Sequence, residues 1–171
     1  MKLKFTHDDL AAMGPCQEAM DWCRQFKTLA GAWEKCNRAD WMIWFLTQKK
    51  LLDKQIAVKF AILCARRVLK IYEKKYPGDL RPRQAIEAAE RYLAKPTRKN
   101  RNAARAAAKA VFVAADAAFT ATYAAYAAVD AIDAAVDADY AAAYIDYTPD
   151  TAKERAWQAS QLRKLVPNPF D

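Results

Sequence analysis

The chain has 171 residues and a net charge of +8; hydrophobic residues make up 54%, and there are three glycines and seven prolines. That length suits one domain whose core needs no disulfide or metal staple. No apolar run approaches the ~20 residues of a bilayer span, and Met1-Lys2-Leu3-Lys4 leads into no signal-peptide core, so a cytoplasmic location without membrane contact is expected.

So few breakers favour long helices. The expected fold is all-α: a compact multi-helix bundle of about seven or eight helices, with alanine-rich helices at its centre. One helical domain spans 1–171: amphipathic helices with a basic middle segment over 1–96, alanine-rich helices over 97–147, and a C-terminal helix and tail over 148–171.

In chain order, Thr6 suits an N-cap, with Asp8 and Asp9 in the first turn of a short helix. Gly14-Pro15 interrupts it. Ala19, Met20, Cys23 and Phe26 then recur at helical spacing and predict an amphipathic helix from Cys16 to Phe26. Two short helices follow, over Ala32–Asn37 and Asp40–Gln48, with Asp40-Trp41 as a capping feature. Asp53 caps a long helix to about Tyr76, whose buried stripe is Ile56, Phe60, Leu63, Cys64, Val68, Ile71 and Tyr72. Pro77-Gly78-Asp79 ends it, the next helix spans roughly Arg83 to Leu93, and Lys95-Pro96-Thr97 breaks the chain again. Thr148-Pro149-Asp150 starts the last helix, through Leu165, and Pro167-Asn168-Pro169 forms the tail.

Between Ala103 and Ile145, 22 of 43 residues are alanine. The larger residues of this region fall on one heptad stripe that begins at Arg98, Asn102 and Arg105, passes Phe112 and Phe119, and ends at Tyr147. Small side chains on the other faces read as packing surfaces, and the stripe as the face that carries bulk and polarity. One helix of ~50 residues would be ~75 Å long, against ~40 Å for the whole domain. A break is therefore expected at Thr120–Thr122 or Asp130–Asp139. Charge is also segregated: residues 49–109 carry 18 basic and 5 acidic side chains, a net of +13, whereas 110–150 carry seven Asp and no Lys or Arg.

Catalysis finds little support. His7 is the only histidine and has no nucleophile near it, and no Gly-rich phosphate loop, EF-hand or HExxH is present. Cys16, Cys23, Cys36 and Cys64 form no CxxC pair and are expected to pack as buried thiols, a two-disulfide secreted framework being the lesser reading. No metal and no cofactor is expected, although Asp130, Asp133 and Asp137 share a face on which a divalent cation could sit. Trp22, Trp33, Trp41, Trp44 and Trp157 are expected in the core, a ligand pocket among them being the lesser reading.

Two binding surfaces compete. Tyr123, Tyr126, Asp130, Asp133, Asp137, Tyr140 and Tyr144 would form a protein-binding face, since tyrosine supplies contact area at low entropic cost and carboxylates attract a basic partner. Alternatively, Arg66, Arg67, Arg81, Arg83, Arg98, Lys99 and Arg101 would lie along the phosphates of a nucleic acid, or form a solvated face, or pair internally with the Asp stripe. Self-association through the alanine faces would be a further way to bury them.

Three stretches carry a family resemblance: Asp40-Trp41 with Trp44-Phe45-Leu46; the block from Ile71-Tyr72-Glu73-Lys74-Lys75-Tyr76-Pro77 through Arg81-Pro82-Arg83 to Ile86-Glu87-Ala88-Ala89; and the Tyr-Ala-Ala-Tyr and Asp-Ala-Ala run. In this order, from about Phe5 to Leu165, the chain resembles immunity proteins with an immunity-five-like domain, found in bacteria and phages. The resemblance implies a non-catalytic inhibitor that binds a toxin or, in a phage, a host-defence component.

Overall fold

A computed structural model describes residues 4–112 and 151–170. Among them every regular element is a helix: α1 (His7–Ala12), α2 (Gln17–Cys23), α3 (Leu29–Lys35), α4 (Ala39–Gln48), α5 (Lys54–Lys75), α6 (Arg81–Ala94), α7 (Arg98–Phe112) and α8 (Thr151–Leu165). The anticipated breaks at Thr120–Thr122 and Asp130–Asp139, and the alanine-rich run beyond Phe112, lie outside the described residues.

Local chemistry sets most boundaries. Thr6 and Asp9 form a reciprocal capping box on α1. Thr28 Oγ1 accepts from Gly31 N, so α3 starts at Leu29, ahead of the expected Ala32; α2 correspondingly stops at Cys23 and does not reach Phe26. Asp53 Oδ1 accepts from Ile56 N at 2.8 Å and opens α5 as anticipated. Asp40 caps nothing. It lies in the first turn of α4 and grips Arg38, the residue before the helix, through Nε at 3.0 Å and Nη2 at 2.7 Å. The α6–α7 turn is closed by Asn100, whose Nδ2 donates to the last carbonyls of α6, Arg91 O and Lys95 O, while its backbone N donates to Thr97 Oγ1.

The core forms around α5. Phe60 and Val58 of α5, Ile43 and Leu46 of α4, Ile86 of α6 and Leu162 of α8 are its largest fully buried side chains. α6 packs on both α5 and α7, and α8 packs across α4 and α5. Alanines dominate the α6–α7 contact: Ala85, Ala88 and Ala89 on one helix and Ala104 on the other are buried, while Arg98, Asn102 and Arg105 stay exposed. Over the described start of the run Ala104 is buried and Ala107 partly so, whereas Ala103 and Ala106 are exposed, so only one of the alanine faces packs here. Ile71 departs from its assignment: it belongs to the proposed buried stripe of α5, yet it is 66% exposed.

The two chain ends meet. Phe170 stacks on Phe45 at 5.0 Å and approaches Phe5 and Trp33 at 6.3 and 6.4 Å, and Asn168 Nδ2 donates to Ala30 O and Glu34 Oε1. The Pro-Asn-Pro tail is therefore a docked segment.

Candidate functional site

The basic residues proposed for phosphate contact fall into two groups. Arg66 and Arg83 belong to the α5–α6 hairpin. Arg66 donates to Glu90 through Nε at 2.9 Å and Nη2 at 2.7 Å, and Arg83 to Glu73 at 2.7 and 2.8 Å. Both pairs straddle the turn symmetrically: 66 and 73 stand two turns apart on α5, 83 and 90 two turns apart on α6. Each guanidinium presents its planar fork to a carboxylate, and this hydrogen bond holds its pKa above the usual value. Arg81 is held by Asp79, which also accepts from Tyr72 Oη at 2.6 Å. Arg67 bridges to Glu154 of α8 at 2.6 Å and lies 4.3 Å from the Trp157 ring centroid. These four arginines are thus engaged within the chain.

The second group opens α7. Arg98 and Lys99 are exposed, and Arg101 Nε is buried with no partner among the described residues. The aromatic-acidic candidates Tyr123, Tyr126, Asp130, Asp133, Asp137, Tyr140 and Tyr144 lie outside the described residues. Among the described residues no group of three or more His, Cys, Asp or Glu is placed to hold a metal, and no helix is long and apolar enough to cross a membrane.

A feature given less weight from the sequence is prominent here. A partly open cavity of about 580 Å³ lies among α2, α3 and α4, with Arg155 reaching it from α8. Of the tryptophans expected in the core, only Trp33 is buried; Trp22, Trp41, Trp44 and Trp157 are partly exposed, and all but Trp157 line this cavity. Trp22 lies 6.0 Å from Trp41 and 4.6 Å from Phe26. Arg38 stacks 4.3 Å over Trp41 while its charge is met by Asp40 and Glu18. Cys16, Cys23 and Cys36 also line the wall. All four cysteines are free, and Cys16 is exposed, contrary to the expectation of uniformly buried thiols: it stands at the N-cap of α2, outside the core. Burial pushes the Cys36 thiol up to about 11 and raises that of Cys23, so both walls are neutral. The signal in the sequence was the number of tryptophans on short neighbouring helices, more indole than a core of that size encloses.

Helical packing, internally paired arginines and a tryptophan-walled cavity together describe an all-α domain. Residues 48–165 match the Imm-5 like putative immunity protein family; the match covers more than half of the chain, which belongs to that family. The cavity is built mainly from residues N-terminal to the matched region. No match emerges among curated proteins or among solved structures.

Proposed function

We propose that this protein is a non-catalytic inhibitor of the immunity type, which neutralises a toxin or a host-defence protein by direct contact. Family membership over residues 48–165 carries the reading; immunity implies a protein partner. Its contact face is the stripe Tyr123, Tyr126, Asp130, Asp133, Asp137, Tyr140 and Tyr144, which falls wholly inside the matched region. Support comes from the arginines: Arg66, Arg67, Arg81 and Arg83 each have a carboxylate partner among the described residues, in Glu90, Glu154, Asp79 and Glu73 respectively. Seven aspartates without a basic residue over 110–150 suit a basic partner surface.

The same pairing narrows the nucleic-acid alternative to Arg98, Lys99 and Arg101. A bidentate arginine must give up a carboxylate before it can grip a phosphate.

The test is a pull-down with the tagged protein from nuclease-treated lysate of its native host, repeated with Asp130→Lys/Asp133→Lys. One enriched protein, lost in the double variant at unchanged helical circular dichroism, is the expected result. Retention by the variant would refute the placement of the face. Enrichment of nucleic acid alone, before nuclease, would refute the inhibitor reading itself.

A further inference from the structure

We infer that the α6–α7 turn is a second binding surface, which takes the phosphate backbone of duplex nucleic acid without reading its sequence. Between Glu90 and Asp116 the chain carries seven basic residues and no acidic one. Five of them flank this turn: Arg91 and Lys95 at the end of α6, and Arg98, Lys99 and Arg101 at the start of α7. The first four are exposed and Arg101 is partly so, and none has a carboxylate partner among the described residues. By contrast, the fold supplies a carboxylate to each of Arg66, Arg67, Arg81 and Arg83. Glu90, which adjoins the patch in the chain, is itself held by Arg66.

The turn also frees these cations from internal work. Basic side chains at a helix C-terminus commonly serve its last carbonyls. Here Asn100 Nδ2 donates to Arg91 O and Lys95 O in their place. Like charges then repel one another across the turn, and a polyanion relieves that repulsion. The five are spread over two helices, so one small anion could reach only one or two of them, whereas a run of phosphates can meet them together. Base stacking adds nothing here: Tyr92, the ring next to Arg91 in the chain, packs against the core. Without a ring on which bases stack, the greater charge density of a duplex favours it over a single strand. The surface adds Arg91 and Lys95 to the free cations of α7. It uses no residue of the acidic-aromatic stripe, so it stands whether or not that stripe contacts a protein.

The experiment titrates the purified full chain into a short fluorescein-labelled DNA duplex and follows anisotropy. Contacts from these cations should give log K against log salt a slope of about −4, roughly a hundredfold loss of affinity from about 50 to 200 mM salt. Duplexes of unrelated sequence should bind alike, and a single strand of the same length more weakly. Arg98→Glu/Lys99→Glu should weaken binding more than about tenfold and flatten the slope by about two. Acidic residues suit the first turn of α7, so this variant should keep its helical circular dichroism. Lys70→Glu/Lys74→Glu makes the same change of charge at exposed lysines of α5 that have no partner among the described residues, and should leave affinity nearly unchanged. Lys95→Glu, a single change in the turn, should lower the slope by about one and decides the matter if the α7 variant loses helicity. Absence of saturable binding at the lower salt would overturn the proposal. So would tighter binding of the single strand, or equal losses in the two double variants, which would reduce the effect to net charge.

Discussion

Asp79 concentrates more interactions than any other single carboxylate described. It accepts from Tyr72 Oη, from the Arg81 backbone N and from two guanidinium nitrogens of Arg81, and the Arg81 hydrogen bonds in particular hold its carboxyl far below the usual range. The unfolded chain binds a proton at Asp79 near pH 4, whereas the folded chain does so only in stronger acid. Its stabilisation is therefore complete above about pH 5 and lost progressively as pH falls below 4. Asp79→Asn should cost about 1–2 kcal/mol at neutral pH, and the gap to wild type in thermal midpoint should narrow on acidification. At the other extreme, burial and the bond to Asp79 push Tyr72 up to about 12. The unfolded chain ionises Tyr72 first, near pH 10, so stability declines as pH rises from there toward 12. A gap between Asp79→Asn and wild type that stays constant from pH 6 to pH 3 would exclude this account.

At the scale of the element, side-chain caps open α1, α3 and α5, whereas the end of α4 is set by the backbone. Leu51 N donates to Leu46 O at 2.8 Å and Lys50 N to Thr47 O at 3.0 Å, the two bonds of a Schellman turn. That turn places the residue after the cap in the left-handed region. Here it is Lys50, at φ 53°, where glycine is the usual occupant. A β-carbon in this conformation costs about 1 kcal/mol, so Lys50→Gly should stabilise the protein by up to about 1 kcal/mol. The denaturant midpoint should rise with no change in slope; a fall would mean that the Lys50 side chain has a contact worth more than the strain. The symmetric Arg66–Glu90 and Arg83–Glu73 pairs do less for stability. Both are partly solvated and worth at most about 1 kcal/mol each, but they fix the register of α6 on α5.

Across the whole molecule, long-range polar contacts decide how the N-terminal helices sit. Arg163 on α8 donates through Nη1 to Cys36 O at 2.6 Å and Trp33 O at 3.3 Å. These carbonyls end α3, where a helix lacks internal donors and carries partial negative charge. The same segment forms a wall of the cavity. Arg163→Met keeps the apolar stem but removes the guanidinium donor from Cys36 O, Trp33 O keeping the Cys36 backbone N–H, and should cost about 1.5–3 kcal/mol. Amide exchange should speed up in α3 while α6 and α7 keep their protection. Uniform acceleration across all helices would instead mean that α3 has no local role.

The sequence by itself determined the helical class, the long α5 with its Asp53 cap, the breaks at Gly14-Pro15, Pro77-Gly78-Asp79 and Lys95-Pro96-Thr97, and the family. These depend on local propensity, on capping and on an alanine face that repeats with the helix, all of which act between near neighbours. Only the tertiary structure decided which charges are engaged and which aromatics enclose space. Arg66 and Arg98 look alike in the chain, yet one is locked to a glutamate 24 positions away and the other is exposed. Ile71 fits the apolar period of α5 and still faces outward, because periodicity places a residue on a face but cannot say whether another helix extends far enough to cover it. The cavity was equally hidden: its walls come from separate helices held by an arginine from the far end of the chain. No local rule reports such an assembly, because its geometry is set by contacts between segments more than a hundred residues apart.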